Sequence, residues 1–379
     1  MSTSPQHIAI LLNSLSPTGG IERDATKCIE ALASDGWHIH LLVSFPHPDM
    51  PQLLSHLPVT WHKITTLKRP PSIGQMIFIH QAQKVLNQLR IKYPHMHAVT
   101  FENHPIASIV VGCNSRRLWH QARKKFGMKA NFRPVWEWWN TRAERLCLQN
   151  AQKLAIYSKT ARQDFIDHGV PEDRIDRIII PVNTDYFSPN LEMPLCERKE
   201  ILIIGTNPKL KGIDIALQAW ETLHQQYPEL SLRMVFRGQK SAAYIKRAKL
   251  PRVIASPLID DPREYYNKAR LVIAPSAYES WGNIITESLA LGIPVVASAQ
   301  VPSSEVIQSQ EHGQVFNRVG HHDHLSLANA MQNTLQTSAT DIQSMQSRHQ
   351  HIVAFQSQHL TSTKWLCTVA QHILKEEVI

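Results

Sequence analysis

Nothing in the 379 residues approaches the run of about 20 apolar positions that a membrane-spanning helix needs. The amino terminus, MSTSPQHIAILLNSLSPTGG, lacks the basic stretch that opens a secretory signal, and its apolar run, Ile8–Leu12, has the length of a strand. Cysteine is sparse: Cys28, Cys113, Cys147, Cys196 and Cys367 are odd in number, far apart and never in a CxxC pair. This pattern excludes a disulfide framework and a cysteine-based zinc site, and it fits a reducing cytoplasm. The 21 histidines include no ligand set at metal-binding spacing. His38 and His40 alternate along a strand and His321-His322 lies among loop-like residues, so they read as solvated or packed and no metal is expected. Tight internal repeats and low-complexity tracts are absent as well.

What is present starts with a formal net charge of +9, which points to nucleic acid, an anionic membrane surface or phosphorylated substrates. The charge is concentrated. Between Val110 and Gln149 lie Arg116, Arg117, Arg123, Lys124, Lys125, Lys129, Arg133, Arg142 and Arg145 against only Glu137 and Glu144. Leu118, Trp119, Phe126, Met128, Phe132, Trp136, Trp138 and Trp139 are interleaved with them. Such a segment suits an anionic lipid interface, with 116–133 as the contact; a solvated helix face with its other side packed has the same composition.

Short β-branched runs alternate with longer segments of helical period, the pattern of βαβ units and parallel sheets. Strands are predicted at His7–Leu15, His38–Ser44, His97–Glu102, Lys153–Ser158 and Arg177–Val182. A second series is predicted at Glu200–Gly205, Leu232–Arg237, Arg252–Ala255, Leu271–Pro275, Pro294–Ser298 and Gln314–Phe316. Helices are predicted between them at Ile21–Ser34, Ser72–Lys92, Ile213–Tyr227 and Ile284–Leu291. The proline-bearing stretch Pro181–Lys199 separates the two series and reads as a linker between two similar α/β domains. Beyond Ser338 the chain looks helical, and Trp365, Leu366, Val369 and Ile373 recur as a packed stripe.

Three strand-to-helix turns carry chemistry. Pro17-Thr18-Gly19-Gly20-Ile21-Glu22-Arg23 opens the first helix, where paired glycines and free amides attract anionic groups. Its spacing is neither GxGxxG nor a P-loop. Gly205-Thr206-Asn207-Pro208-Lys209-Leu210-Lys211-Gly212 follows the first strand of the second series. Lysines there lie at the end of the strand where open α/β sheets bind ligands, and an ammonium can neutralise a departing diphosphate. The third turn runs from Ala274 through Glu279-Ser280-Trp281-Gly282-Asn283-Ile284 to Glu287. A strand, a glycine permitting close approach and a helix start suit a diphosphate. Glu287 is placed to accept from a ribose diol, and Glu279 from sugar hydroxyls near the reacting carbon.

Glu279 to Glu287 resembles the Glu-x7-Glu signature of the retaining GT-B glycosyltransferases of family 4. Gly19-Gly20, Tyr157-Ser158, Phe187-Ser188-Pro189, Lys211-Gly212 and Gly292-x-Pro294-Val295-Val296 extend the resemblance over nearly the whole chain. The Phe101–Pro105 pattern and Gly112-Cys113-Asn114 look more like lipopolysaccharide-core glucosyltransferases. The resemblance implies an α/β GT-B fold of two Rossmann-like domains facing across a cleft. The acceptor-side domain would span 1–183 and the nucleotide-sugar domain 184–357, with a helix over 358–379 packing back on the first. It also implies a nucleoside diphosphate sugar as co-substrate and no cofactor or metal. The acceptor would be a glycan or glycolipid, the setting cell-surface polysaccharide or lipopolysaccharide synthesis, and the location the cytoplasm or the inner face of the membrane.

The chain departs from its relatives in places. Many carry Arg near Thr206, so leaving-group contact falls to Lys211, helped by Lys209. Many carry a His after the strand that here ends in Glu102; His104 is shifted from that place, and both residues are assigned to the acceptor side. Glu279 and Lys211 are the expected catalytic pair. Gly19, Gly20, Thr206, Lys209, Ser280, Trp281, Gly282, Asn283, Ile284 and Glu287 are expected to hold the donor, a UDP-hexose. Rival readings are an inactive homologue serving as a basic lipid- or nucleic-acid-binding module, or an epimerase or phosphorylase of the same fold. No recognised nucleic-acid motif supports the first of these.

Overall fold

A computed structural model describes residues 6–17, 19–69, 71–113, 115–127, 134–236, 249–259, 261–320 and 323–376. Thr18, Asn114, Met128, Lys129, Phe132, Arg133, Arg237 and His321-His322 lie outside the described residues. The chain divides into two compact units, one of 1–118, 130–181 and 359–379, the other of 119–129 and 182–358.

The first unit is built on a parallel sheet. Its strands are β1 (Gln6–Leu15), β2 (Trp37–Pro46), β3 (Val59–Lys63), β4 (His97–Thr100), β5 (Ile109–Val111), β6 (Lys153–Ile156) and β7 (Ile175–Arg177), in the order β3-β2-β1-β4-β5-β6-β7. Ile8, Ala9, Ile10, Leu11 and Leu12 of β1 are all buried, so the central strand is apolar on both faces, as helices on both sides of a parallel sheet require. The helix Gly20–Ser34 buries Asp24, Ala25, Cys28, Ile29 and Leu32 at helical spacing.

The second unit repeats the plan with β8 (Glu200–Gly205), β9 (Ser231–Phe236), β10 (Val253–Pro257), β11 (Ala269–Ala274), β12 (Val295–Ser298) and β13 (Gly313–Phe316). Their order is β10-β9-β8-β11-β12-β13. Its core gathers Ile201, Ile203, Trp220, Met234, Phe236, Leu271, Ile273 and Met331 from strands and covering helices. In each sheet the winding reverses once, between β1 and β4 and between β8 and β11. Loops leaving the C-terminal ends of those pairs part there and leave the crevice in which open α/β sheets bind ligands.

The helix Ser362–Glu376 belongs to the first unit although it follows the whole second one. Trp365, Leu366 and Val369 of its apolar stripe are buried; the side chain of Ile373 lies outside the described set. Polar contacts fix it too. Buried Asp24 accepts from Tyr157 Oη and from Ser362 Oγ, each at 2.6 Å, and Trp365 Nε1 donates to Asp176 at 2.8 Å.

Two strands, β3 and β5, escape the periodicity reading because one is half-buried at the sheet edge and the other only three residues long. The strand expected at Arg177–Val182 ends instead at Arg177. Beyond it Ile179 turns its backbone to the returning chain: its N–H donates to Leu360 O and its carbonyl accepts from Ser362 N–H, both at 2.9 Å. The apolar run Ile178–Ile180 is thus buried in the first unit but pairs with a segment nearly at the other end of the chain.

Candidate active site

In the second unit the loops after β8 and β11 are locked to each other. Ala277 N–H donates to Leu210 O at 2.8 Å. Gly212, at φ +81°, lets the chain turn into the helix Ile213–Leu223; a Cβ there would stand 2.2 Å from Pro275 O. Lys211 folds back across Gly205, and its ammonium donates to Glu279 Oε1, which also accepts from Ser276 Oγ at 2.7 Å. The two charged side chains are only 19% and 13% exposed, so each is held by the other in a largely dry setting. Thr206 and Lys209 are exposed on the same turn, and Ser280 is half-buried beside Glu279.

Gly282, at φ +101°, starts the helix Asn283–Ala290, and no side chain caps that start. Val301 and Ser303 fill the space a Cβ would need, and Ser303 Oγ donates to Gly282 O at 2.8 Å. Trp281 is buried beneath the turn, Asn283 is half-buried and Ile284 is nearly covered. An uncapped helix start keeps its amides available to an anion. Glu287, one turn in, is 6% exposed and accepts from Tyr266 Oη at 3.0 Å.

Two contributors escape the sequence reading. Arg318, 6% exposed, donates to Pro275 O at 2.7 Å and lies 3.5 Å from Asp323, so it props the Glu279 loop from below. Burial lowers its guanidinium below its ordinary range, opposed by Asp323. Tyr266 holds Glu287 in place. Neither stands in a motif; the only signal was an arginine two positions beyond a strand end.

In the first unit the loops after β1 and β4 carry Gly19, Gly20, Glu102 and His104. Gly19 is extended, at φ −77°, and caps the helix Gly20–Ser34. Its lack of a side chain makes room for the Glu22 carboxylate, which lies over it and accepts from Ser14 Oγ at 3.1 Å. The first anion at that helix start is therefore the chain's own.

Glu102 accepts from Asn13 N–H at 2.8 Å, while desolvation pushes its carboxyl up to about 7 despite that bond. His104 is fully buried, and burial holds its imidazole down to about 3. Thr100 Oγ1 donates to Leu11 O, so it accepts from His104 Nδ1–H at 2.9 Å. His104 Nε2 then faces Glu102 Oε2 with a lone pair, 3.3 Å away. Protonated Glu102 can donate to that lone pair; ionised Glu102 has no proton to give and meets it lone pair to lone pair. Beside these loops a hollow of about 740 Å³ is lined by Ser16, Phe45, His47, Trp61, Lys63 and Lys68 among others.

Two parallel-sheet units with polar residues gathered at their switch points define the GT-B class of glycosyltransferase fold. Residues 18–186 match the family described as Glycosyltransferase Family 4, and residues 198–337 match Glycosyl transferases group 1. The chain belongs to the GT-B glycosyltransferases of the family 4 type. It resembles the structure of WaaG, a glycosyltransferase involved in lipopolysaccharide biosynthesis, with a TM-score of 0.76 and 16% identity over 97% of this chain and 99% of that one. Anabaena HepE in complex with UDP and glucose superimposes with a TM-score of 0.66 and 17% identity over 98% of each chain. In sequence, the D-inositol 3-phosphate glycosyltransferase of Corynebacterium aurimucosum is 29% identical over 222 residues, 50% of this chain and 52% of that protein. The chain spans about half the length of the first curated relatives it matches, 41% and 52%.

Proposed function

We propose that the chain moves a hexose from a UDP-sugar to a glycan or glycolipid with retention of configuration, in the synthesis of a cell-surface polysaccharide or lipopolysaccharide. The observation that carries this is the Lys211–Glu279 pair, set on the same crossing of loops as an uncapped helix start and Glu287. As the sugar–phosphate bond lengthens, negative charge grows on the diphosphate and positive charge on the anomeric carbon. Lys211 and the amides at Asn283 and Ile284 are fixed in advance for the first charge. Glu279 positions the sugar and holds Lys211; it is not a nucleophile, and the acceptor attacks from the leaving-group side. Positive charge from the chain itself makes a metal unnecessary for this step.

Glu287 takes the ribose diol, oriented by Tyr266. Ser280 and Trp281 complete the donor loop, and Thr206 and Lys209 stand exposed to meet phosphate oxygens. Gly19 and Gly20 contribute backbone amides for anionic groups of the donor. Glu102 and His104 serve the acceptor side, and the hollow with Lys63 and Lys68 suits an acceptor that joins an apolar face to an anionic group. UDP as the nucleotide draws support from the Anabaena structures solved with UDP and with UDP-glucose.

Membrane contact belongs to the same proposal. No described helix is long and apolar enough to cross a membrane. Lys124, Lys125 and Trp138 are exposed, whereas Arg116 and Arg117 are taken up by Glu137 and Asp164, both at 2.6 Å. The exposed lysines, not the two paired arginines, then provide the anionic-surface contact on the cytoplasmic face.

The test is calorimetric titration with UDP, GDP, ADP and their common sugars, with Glu287→Ala alongside. Saturable binding of the UDP series, lost in the variant, is the expected result. Absence of binding by every nucleotide would remove the donor site and leave an inactive homologue. Turnover of a nucleotide sugar without acceptor would favour an epimerase instead.

A further inference from the structure

Away from the switch point, one face of the first sheet gathers four imidazoles from three strands. His7 of β1 is in register with His38 of β2, Ala9 with His40, and Leu42 with His62 of β3. Because side chains alternate with a period of two, His7, His38, His40 and His62 share one face. His7, His38 and His40 lie near the N-terminal ends of β1 and β2, His62 is next to last in the short edge strand β3, and Tyr93, just past the helix Pro71–Lys92, stacks on His7 at 3.7 Å.

The nitrogens converge. His7 Nδ1 and His40 Nε2 are 3.1 Å apart, and ligand atoms of His7, His38 and His40 all lie within 4.8 Å of one another. A tetrahedral ion bonded to imidazole at about 2.0–2.1 Å holds its ligand nitrogens roughly 3.3 Å apart, so the His7–His40 pair opens slightly and any wider separation closes toward that distance. The second nitrogen of two rings is already engaged: His38 Nε2 meets Thr60 Oγ1 at 2.8 Å and His40 Nδ1 meets His62 Nε2 at 3.0 Å. Such outer contacts fix ring orientation and tautomer in metal sites.

Burial, with neighbouring imidazoles and Lys92, keeps His7 below its ordinary range and His40 down to about 4; burial alone lowers His62. His7 and His38 are half-exposed, which leaves an entry path and a place for water. Among the described residues no carboxylate belongs to the cluster, and Lys92 adds positive charge nearby. Imidazoles alone disfavour magnesium and calcium and suit zinc, copper or nickel.

We propose that His7, His38 and His40 form a three-imidazole site for a late first-row divalent cation, with Thr60 and His62 as its outer partners. Spacing along the chain hides the site, since His7 and His38 meet only through strand register. Placed away from the switch point, it ties β1, β2 and β3 together and takes no part in transfer.

The untagged full-length chain, stripped with EDTA and dialysed, is titrated with Zn²⁺ by calorimetry and with Co²⁺ by visible absorption. One equivalent per chain is expected, with cobalt bands of a four- or five-coordinate nitrogen site and a rise in Tm with Zn²⁺. His7→Gln and His40→Gln should each abolish the bands, and Thr60→Val should weaken Zn²⁺ by about 10–100-fold. His168→Gln, remote and exposed, should change nothing. If His40→Gln fails to fold, His7→Gln and Thr60→Val carry the test. No saturable binding, or a single equivalent that survives the paired change His7→Gln and His38→Gln, overturns the proposal and leaves a packed imidazole ladder.

Discussion

Lys211 and Glu279, 68 residues apart in the chain, are bonded to each other directly, and Ser276 Oγ donates to the same Glu279 oxygen at 2.7 Å. The pair ties the loop after β8 to the loop after β11 and presets both a cation and a carboxylate. Glu279→Gln removes the charge but little of the shape. Turnover should fall by about 10²–10³-fold, the cost of losing one preorganised group, while UDP affinity stays nearly unchanged. Steady-state kinetics beside UDP titration checks this, and unaltered kcat would take the assigned role from Glu279. Because the two groups share one bond, Lys211→Ala combined with Glu279→Gln should cost less than the two single losses together.

Gly212→Ala should destabilise the second unit beyond the ordinary penalty for a left-handed residue. At φ +81° any side chain costs on the order of 1–2 kcal/mol. Here the new Cβ would also stand 2.2 Å from Pro275 O, backbone held by Arg318. Gly36, at φ +85°, has nothing within 4 Å and provides the comparison. Urea unfolding of Gly36→Ala should show the conformational cost alone, and Gly212→Ala a larger one. Equal losses would mean that the Glu279 loop yields.

The Glu102 carboxyl, raised to about 7 by desolvation, ties stability to pH. Between its ordinary value near 4 and 7 the folded state holds a proton that the unfolded state gives up, so folding weakens as pH rises through this window. Glu102→Gln fixes the neutral form. Its stability relative to the unmodified chain should therefore improve from pH 5 to pH 8, measured by urea unfolding at both. A difference that does not move with pH would mean the carboxyl titrates normally.

Asp24 joins three distant pieces of the first unit through Tyr157 and Ser362. Asp24→Ala leaves two buried hydroxyls without their acceptor, at a cost on the order of 2–4 kcal/mol. Ser362→Ala should cost about 1 kcal/mol, since only one bond is lost. Limited proteolysis should cut Asp24→Ala ahead of the helix Ser362–Glu376 sooner than the unmodified chain. An unchanged cleavage rate would show that Trp365, Leu366 and Val369 hold the helix unaided.

Lys124 and Lys125 are exposed at the end of the helix Arg116–Lys125. Replacing both with Gln should weaken binding to phosphatidylserine vesicles by about 1 kcal/mol per lysine, and added salt should erase the difference. Equal binding to neutral vesicles, insensitive to salt, would end the membrane reading.

Most of the fold was legible because the central strands are apolar on both faces and the covering helices keep their period, as β1 and Gly20–Ser34 illustrate. Elements set by partners instead of composition were not. Three-residue β5 exists because β4 and β6 flank it, and Ile178–Ile180 carries a strand's composition yet ends β7 early, since Leu360 and Ser362 claim Ile179. At the site, Glu279, Gly282, Glu287 and Lys211 announced themselves through turn chemistry. Arg318 and Tyr266 did not, because each acts through a contact that no local pattern encodes.

The sequence by itself determined the class of fold, the family and the residue types at the donor loop, for these follow from local period and from spacing within a few residues. Only the tertiary structure decided that Lys211 meets Glu279, that Glu22 covers Gly19, that Glu102 faces the buried His104, and that histidines of three strands converge on one face. The reason is physical. Charge pairing, desolvation and ligand convergence depend on distances through space, and those are set by strand register and loop crossing between residues far apart along the chain.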